Sequence, residues 1–191
     1  MTAAGKWDNI SVEDYLAAEE VADSKHEYVA GVVYAMAGAK NRHNRIATNA
    51  TVALGSRLRG HPCDAFNSDT KVRIQTQIGT RFYYPDAMVV CDSNPEDDSF
   101  QDQPVTIVEV LSESPRRTDL GEKKDAYLTI PTLQSYLLLE TDAPVAHFWQ
   151  RDVDGAWQHQ ILDGAQTEIV LPEADLTVPL SDLYEGVEFS E

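Results

Sequence analysis

Two acids in this chain sit where packing would not place them. Asp86 follows Pro85 and opens the apolar run from Ala87 to Cys91. Glu109 lies inside the run from Val105 to Leu111, which is apolar on both alternating faces except at Thr106 and Glu109 itself. An ionised carboxylate among Val108, Val110 and Leu111 is costly in a dry interior, so it must be neutral, paired or bound to a cation. The acids are 23 residues apart, and adjacent strands would bring them together. One shared Mg2+ would satisfy both, because it takes hard oxygen ligands and keeps waters and room for a phosphate oxygen. Such an ion activates water and neutralises charge developing on phosphorus, and Mn2+ is its expected substitute. The alternative is that Asp86 caps a turn and Glu109 pairs with a lysine in a core salt bridge.

A third group comes from the segment after these runs. Asp119, Lys123 and Tyr127 are spaced i, i+4, i+8, which on an α-helix aligns an acid, a base and a hydroxyl along one face. If that helix packs beside the strand of Glu109, the Lys123 ammonium can meet the attacking water or the scissile phosphate. Lys124 points about 100° away and serves as an internal contrast. The competing possibility is an exposed Asp119 to Lys123 pair worth a few tenths of a kcal/mol.

The elements that must position these groups are partly legible. Ser11 with Asp14 resembles a capping box, followed by a short amphipathic helix that should act as an N-terminal lid. His26 to Ala37 reads as a hairpin turning at Ala30-Gly31. From Arg42 to Arg59, apolar residues recur at helical spacing and Gly60 and Pro62 stop the helix. Strands are expected near Cys63 to Phe66, Lys71 to Gln75 and Ala87 to Cys91. The polar run Asp92 to Gln103 should be an exposed loop. Val105 to Leu111 reads as a central strand, Thr118 to Thr129 as a helix, and Tyr136 to Leu139 as another buried strand. Three short strands follow, His147 to Trp149, Trp157 to Leu162 and Glu168 to Leu171, with hairpin turns at Asp154-Gly155 and Asp163-Gly164.

These residues carry a resemblance. YYPDAMVV followed by VTIVEVLSESPRRTDLGEKKDAYLTIPTLQSYLLLE, with KHEYVAGVVYAMAG and RHN upstream, resembles the Uma-two family of restriction endonucleases in the PD-(D/E)XK nuclease superfamily. The match runs from about Ser11 to Glu140. It implies an α/β (α+β) fold with a restriction-endonuclease-like mixed central sheet flanked by helices, divalent-metal dependence, and hydrolysis of DNA phosphodiesters. Asp86 corresponds to the acid of the PD element, Glu109 to the acid of the second element, and Lys123 to a motif lysine shifted onto the helix. Leu111 stands where the lysine of Glu-x-Lys would be, which departs from the superfamily pattern. That leaves open a silent, nucleic-acid-binding module or a non-enzymatic interaction protein.

Further candidates are Glu27, as a third metal carboxylate, an orienter of Lys123 or a plain surface glutamate; His43, beside Arg42 and Arg45, facing phosphate or solvated at the helix start; and Lys71, with Asp69, as a phosphate contact or part of an ordinary half-exposed strand. The other histidines lack ligand spacing, so a zinc hydrolase is not expected, and no Gly-x-Ser-x-Gly or Walker loop occurs. Trp149 and Trp157 read as core or dimer contacts.

Length and composition fit one domain, 1-191, with a nuclease-like core over about 11-140 and an antiparallel extension over about 141-191. Neither an export signal nor a membrane span is visible, so a cytoplasmic protein is expected. Cys63 and Cys91 read as buried reduced thiols. The formal charge of -17 argues against a polyanionic substrate unless positive charge is concentrated where it docks. The charge is uneven: Lys40 to Cys91 carries +5 and Glu140 to Glu191 carries -11. A homodimer is expected by analogy with nucleases that pair their active sites on two strands.

Overall fold

The computed structural model describes residues 9–111, 119–164 and 166–189, with the backbone alone at 119 and 120. Helix α1 (Val12–Glu20) starts where its cap predicts: the Ser11 hydroxyl accepts the Asp14 N–H at 3.0 Å and donates to the Asp14 carboxylate at 2.7 Å. Strands β1 (His26–Val29) and β2 (Val32–Ala35) form the expected hairpin. Ala30 and Gly31 both have positive φ, 46° and 96°, as a tight hairpin turn with the right twist demands. Helix α2 (Asn41–Arg57) buries Ile46, Ala50, Ala53 and Leu54 as one stripe.

The strands after α2 divide between two sheets. Strands β3 (Asp64–Asn67) and β6 (Ala87–Val90) pair antiparallel, whereas β4 (Lys71–Thr76) pairs with β5 (Gly79–Tyr83) and β7 (Phe100–Gln101). Strand β8 (Pro104–Val110) lies antiparallel to β6 and parallel to β9 (Ser135–Leu139). Between them the chain enters a π-helical turn, Asp119–Lys123, that runs into α3 (Lys124–Tyr127). Strands β10 (Val145–Arg151) and β11 (Trp157–Asp163) extend the same sheet. The five-stranded sheet is ordered β2-β1-β5-β4-β7 and the six-stranded sheet β11-β10-β9-β8-β6-β3. A third pair, β12 (Glu168–Leu171) and β13 (Leu176–Pro179), precedes the short helix α4 (Leu180–Leu183).

The layers follow from which faces are apolar. Tyr15 of α1 packs with Tyr28, Phe82 and Phe100 on the outer face of the five-stranded sheet. Between the sheets lie Val72, Ile74 and Tyr83 from one, and Met88, Ile107 and Leu138 from the other. Beyond the six-stranded sheet, α2, α4, β12 and β13 close over Val89, Val108, Leu137 and Phe148. This is the expected mixed α+β architecture of mixed sheets flanked by helices. None of the described helices is long and apolar enough to cross a membrane.

Four expectations need correction. Strand β5 lies in a stretch read as turn-rich, and it forms the middle of the five-stranded sheet. The run Asp92 to Gln103 is not all exposed loop: Phe100 and Gln101 are buried, and Asp102 takes a two-pronged ion pair from Arg73 at 2.7 Å. Cys63 and Cys91 are joined as a disulfide, because pairing of Asp64 with Val90 brings the flanking cysteines opposite each other. The C-terminal strands β10 and β11 extend the central sheet antiparallel, while β12 and β13 pair apart from it. Asp163-Gly164 therefore turns the chain out of the sheet and does not link a hairpin; Gly164, at φ 85°, accepts the Thr167 N–H through its carbonyl.

Candidate active site

Strand β8 is covered on both sides, so its residues alternate between two apolar layers. Val108 and Val110 face α2, and Ile107 and Leu111 face the space between the sheets. Glu109 shares that second direction and is only 5 % exposed. Because Ala87 opposes Val108 in the β6–β8 ladder, Asp86 stands at the ladder end next to Glu109. Oδ2 of Asp86 accepts the Val110 N–H at 2.7 Å. That bond satisfies a backbone donor and fixes the carboxylate at the end of β8.

Helix α3 and its π-helical lead bring in the remaining groups. The Tyr127 hydroxyl donates to Oε1 of Glu109 at 2.9 Å. Burial first, then the Glu109 and Glu27 carboxylates, push the Tyr127 hydroxyl well above its usual range, so it stays a donor. One turn earlier, the Lys123 ammonium lies 2.6 Å from Oε1 of Glu27, an ion pair rather than an aligned hydrogen bond. The same ammonium sits over the Tyr83 ring at 5.5 Å. Lys123 is 9 % exposed, so its charge is held inside the fold. Lys124 turns away, as the helix geometry requires, to Asp125 and the face of Trp149.

Placement of the candidates is uneven. Lys123, Tyr127, Glu109 and Glu27 converge, and Asp86 stands beside Glu109 at the end of β6. The side chain of Asp119 lies outside the described residues, and the π-helical turn there breaks the i, i+4, i+8 alignment expected of it. Glu27 is not a surface glutamate. Glu27 pairs with Lys123, and among the described residues no three of His, Cys, Asp and Glu are grouped to hold one cation. His43 is not solvated at the helix start: its Nε2 lies 3.4 Å from Oδ2 of Asp86. Burial works to lower the His43 pKa, but the Asp86 carboxylate outweighs it and the net shift is upward.

Lys71 belongs elsewhere. It lies on the opposite face of the five-stranded sheet from Glu27, is 5 % exposed, and donates to the Tyr84 hydroxyl at 3.3 Å. Burial lowers its pKa. Its neighbour Asp69 pairs with Lys25 at 2.6 Å. Neither reaches the acids of β6 and β8 in the described geometry. Sequence reading missed Tyr83, whose ring floors the Lys123 pocket, because it lies on the overlooked strand β5.

Residues 12–180 match the Uma2 family, described as "Putative restriction endonuclease". The chain belongs to the Uma2 family. Two proteins of Synechocystis are similar to it: "Uncharacterized protein slr1290" is 33% identical over 183 residues, covering 94% of each chain, and "Uncharacterized protein sll1609" is 32% identical over 163 residues, covering 84% of this chain and 91% of that one. Among solved structures, "a putative nuclease belonging to DUF820" from Anabaena variabilis superposes with a TM-score of 0.74 at 16% identity, over 94% of this chain and 99% of that one. At that identity the likeness establishes the fold that this Uma2 member shares with it.

Proposed function

We propose that this Uma2 chain is a divalent-metal-dependent endonuclease that hydrolyses phosphodiester bonds of DNA. What supports the reading is that Asp86 and Glu109 stand at one end of the β6–β8 ladder and that one helix turn brings a hydroxyl to Glu109 and an ammonium to Glu27 close by.

The donor set suits a hard cation. Asp86 and Glu109 supply carboxylate oxygens without a soft ligand between them, and two carboxylates completed by water and a phosphate oxygen are a common Mg2+ arrangement. When bound there, Mg2+ or Mn2+ would supply charge neutralisation and an acidified water. The chain's own groups do the rest. The Val110 N–H and the Tyr127 hydroxyl hold the two carboxylates in fixed orientations. Lys123 holds its buried ammonium charge beside these acids, where it would stabilise negative charge growing on a phosphoryl oxygen. Leu111 is buried in the layer between the sheets, and the ammonium therefore has to arrive from the helix.

Asp86→Asn and Glu109→Asn are the test, with cleavage of a DNA duplex followed in Mg2+ or Mn2+ and melting measured alongside. The expected result is loss of cleavage on the order of a thousandfold or more with the fold retained. A folded variant that cuts as well as the native chain would remove these acids from the reaction. Leu111 in the motif-lysine position favours one second reading, a nuclease-like binder without hydrolysis. Metal-dependent DNA binding with no product from the native chain would select it.

A further inference from the structure

The chain's charge has one conspicuous gap. No Asp or Glu occurs between Glu27 and Asp64, a stretch in which the average acid content of the chain would place about six. That stretch carries Lys40, Arg42, Arg45, Arg57 and Arg59, and α2 occupies its middle. Arg42, Arg45 and Asn49 are spaced i, i+3, i+7 and form a polar stripe along the edge of the buried face made by Ile46, Ala50 and Leu54.

The stripe forms one wall of an open groove of about 670 Å³, whose other wall is the C-terminal segment at Gly186 to Glu188. The groove is held open by specific contacts. Asn49 donates to the carbonyls of Leu183 at 3.2 Å and Glu185 at 2.9 Å, pinning that segment to α2. Gly186 adopts φ 66°, and a Cβ there would lie 3.2 Å from a terminal nitrogen of Arg45, so glycine lets the guanidinium pass. Among the described residues Arg45 has no hydrogen-bond or ion-pair partner, and Arg42 has an exposed contact with Asp142 at 4.0 Å, a long one to the Thr141 carbonyl and a loose one to the Phe189 ring at 6.0 Å. The same helix turn sends His43 to Asp86, so the groove and the candidate site meet the N-terminal turn of α2 from different faces.

We propose that this groove tracks the phosphodiester backbone of the DNA strand beside the one being cut, with Arg42 and Arg45 each neutralising a phosphate and Asn41 and Asn44 supplying neutral donors. The proposal rests on the nuclease reading and deepens it. It also resolves the charge problem: a chain of net charge -17 can hold a polyanion only where acids are excluded, and the acid-free helix lines this groove. Glu188, on the far wall, opposes binding, which gives the proposal a variant of opposite sign.

The test is binding of a short fluorescent DNA duplex to the full chain across a salt series, with Ca2+ replacing Mg2+ to hold cleavage off. Arg42→Gln with Arg45→Gln should weaken binding on the order of ten- to a hundredfold near ~0.1 M salt and make the slope of log affinity against log salt shallower by about 2. Glu188→Gln should tighten binding by roughly two- to fivefold. Arg57→Gln is the control, since Arg57 is on the same helix but is already paired with Asp182 at 2.6 Å, and it should leave the slope unchanged. If the native chain binds and the double variant keeps the native slope, or Arg57→Gln flattens it equally, the groove is overturned while the nuclease reading stands. If the native chain binds no DNA in any metal, both fall together.

Discussion

The five-stranded sheet meets a buried lysine on each face, and the two differ in what surrounds them. On the outer face, Lys71 donates to the Tyr84 hydroxyl, and Tyr84 donates to Glu19 at 2.8 Å. Glu19 also receives the His26 N–H at 2.8 Å, so this network fastens α1 to the hairpin. On the inner face, Lys123 meets Glu27, and Tyr127 meets Glu109. The residue types are nearly the same: a lysine, a glutamate and a tyrosine hydroxyl. Around Lys71 the polar contacts lead back into the fold. Around Lys123 they lead to the strand end carrying Asp86. A buried charge becomes a candidate for chemistry through its neighbours, not through burial alone.

Parallel substitutions should separate the two regions. The largest effect is expected for Lys123→Met, which should lower the rate of DNA cleavage by about 10² to 10³. Lys71→Met should leave that rate within about twofold and leave melting unchanged or raised, because the charge removed was one that burial disfavoured. Equal losses of rate would erase the distinction. A smaller contrast comes from the tyrosines. Tyr127→Phe should weaken metal-dependent activity by roughly tenfold, through a carboxylate that has lost the Tyr127 donor. Tyr84→Phe should cost about 1 to 3 kcal/mol in denaturant titrations and spare the rate.

The smallest effect probes neither lysine and marks the edge of the outer region. Arg73 and Asp102 pair across β4 and the end of β7. Burial tends to raise the Asp102 pKa, but the hydrogen bonds from Arg73 and Asn94 outweigh it and the net shift is downward. A depressed carboxyl stabilises the fold above its unfolded pKa of ~3.9 and loses that contribution as pH falls through the folded value. Asp102→Asn should therefore cost up to about 1 kcal/mol at neutral pH and flatten the stability profile below about pH 4. Parallel profiles for the two proteins would contradict it.

How much of the fold and site is legible in the sequence depends on the range of the cause. The Ser11 cap, the Ala30-Gly31 turn and the buried runs of β6, β8 and β9 are local patterns, and they were readable. Glu109 stood out because the run around it was otherwise apolar. Strand β5 did not, since Gly79, Thr80 and Arg81 weaken its pattern and its two partners were needed to hold it. The disulfide joins residues 28 apart through a ladder register that no local signal reports. The face on which Lys71 points is fixed by pairing with β5, so alternation alone could not separate it from the site. The π-helical turn before Lys123 likewise lies beyond a count in steps of 3.6.

The ion pair between Glu27 and Lys123 joins residues 96 positions apart, one from the first hairpin and one from a helix that follows the central strand. A chain still emerging from the ribosome holds the glutamate long before it holds its partner. The amine is locked into place only when the second half of the protein docks onto the first. Under the nuclease reading, a copy that ends before Lys123 would therefore lack its amine, and the ability to cut would arise only once both segments had been made and had docked.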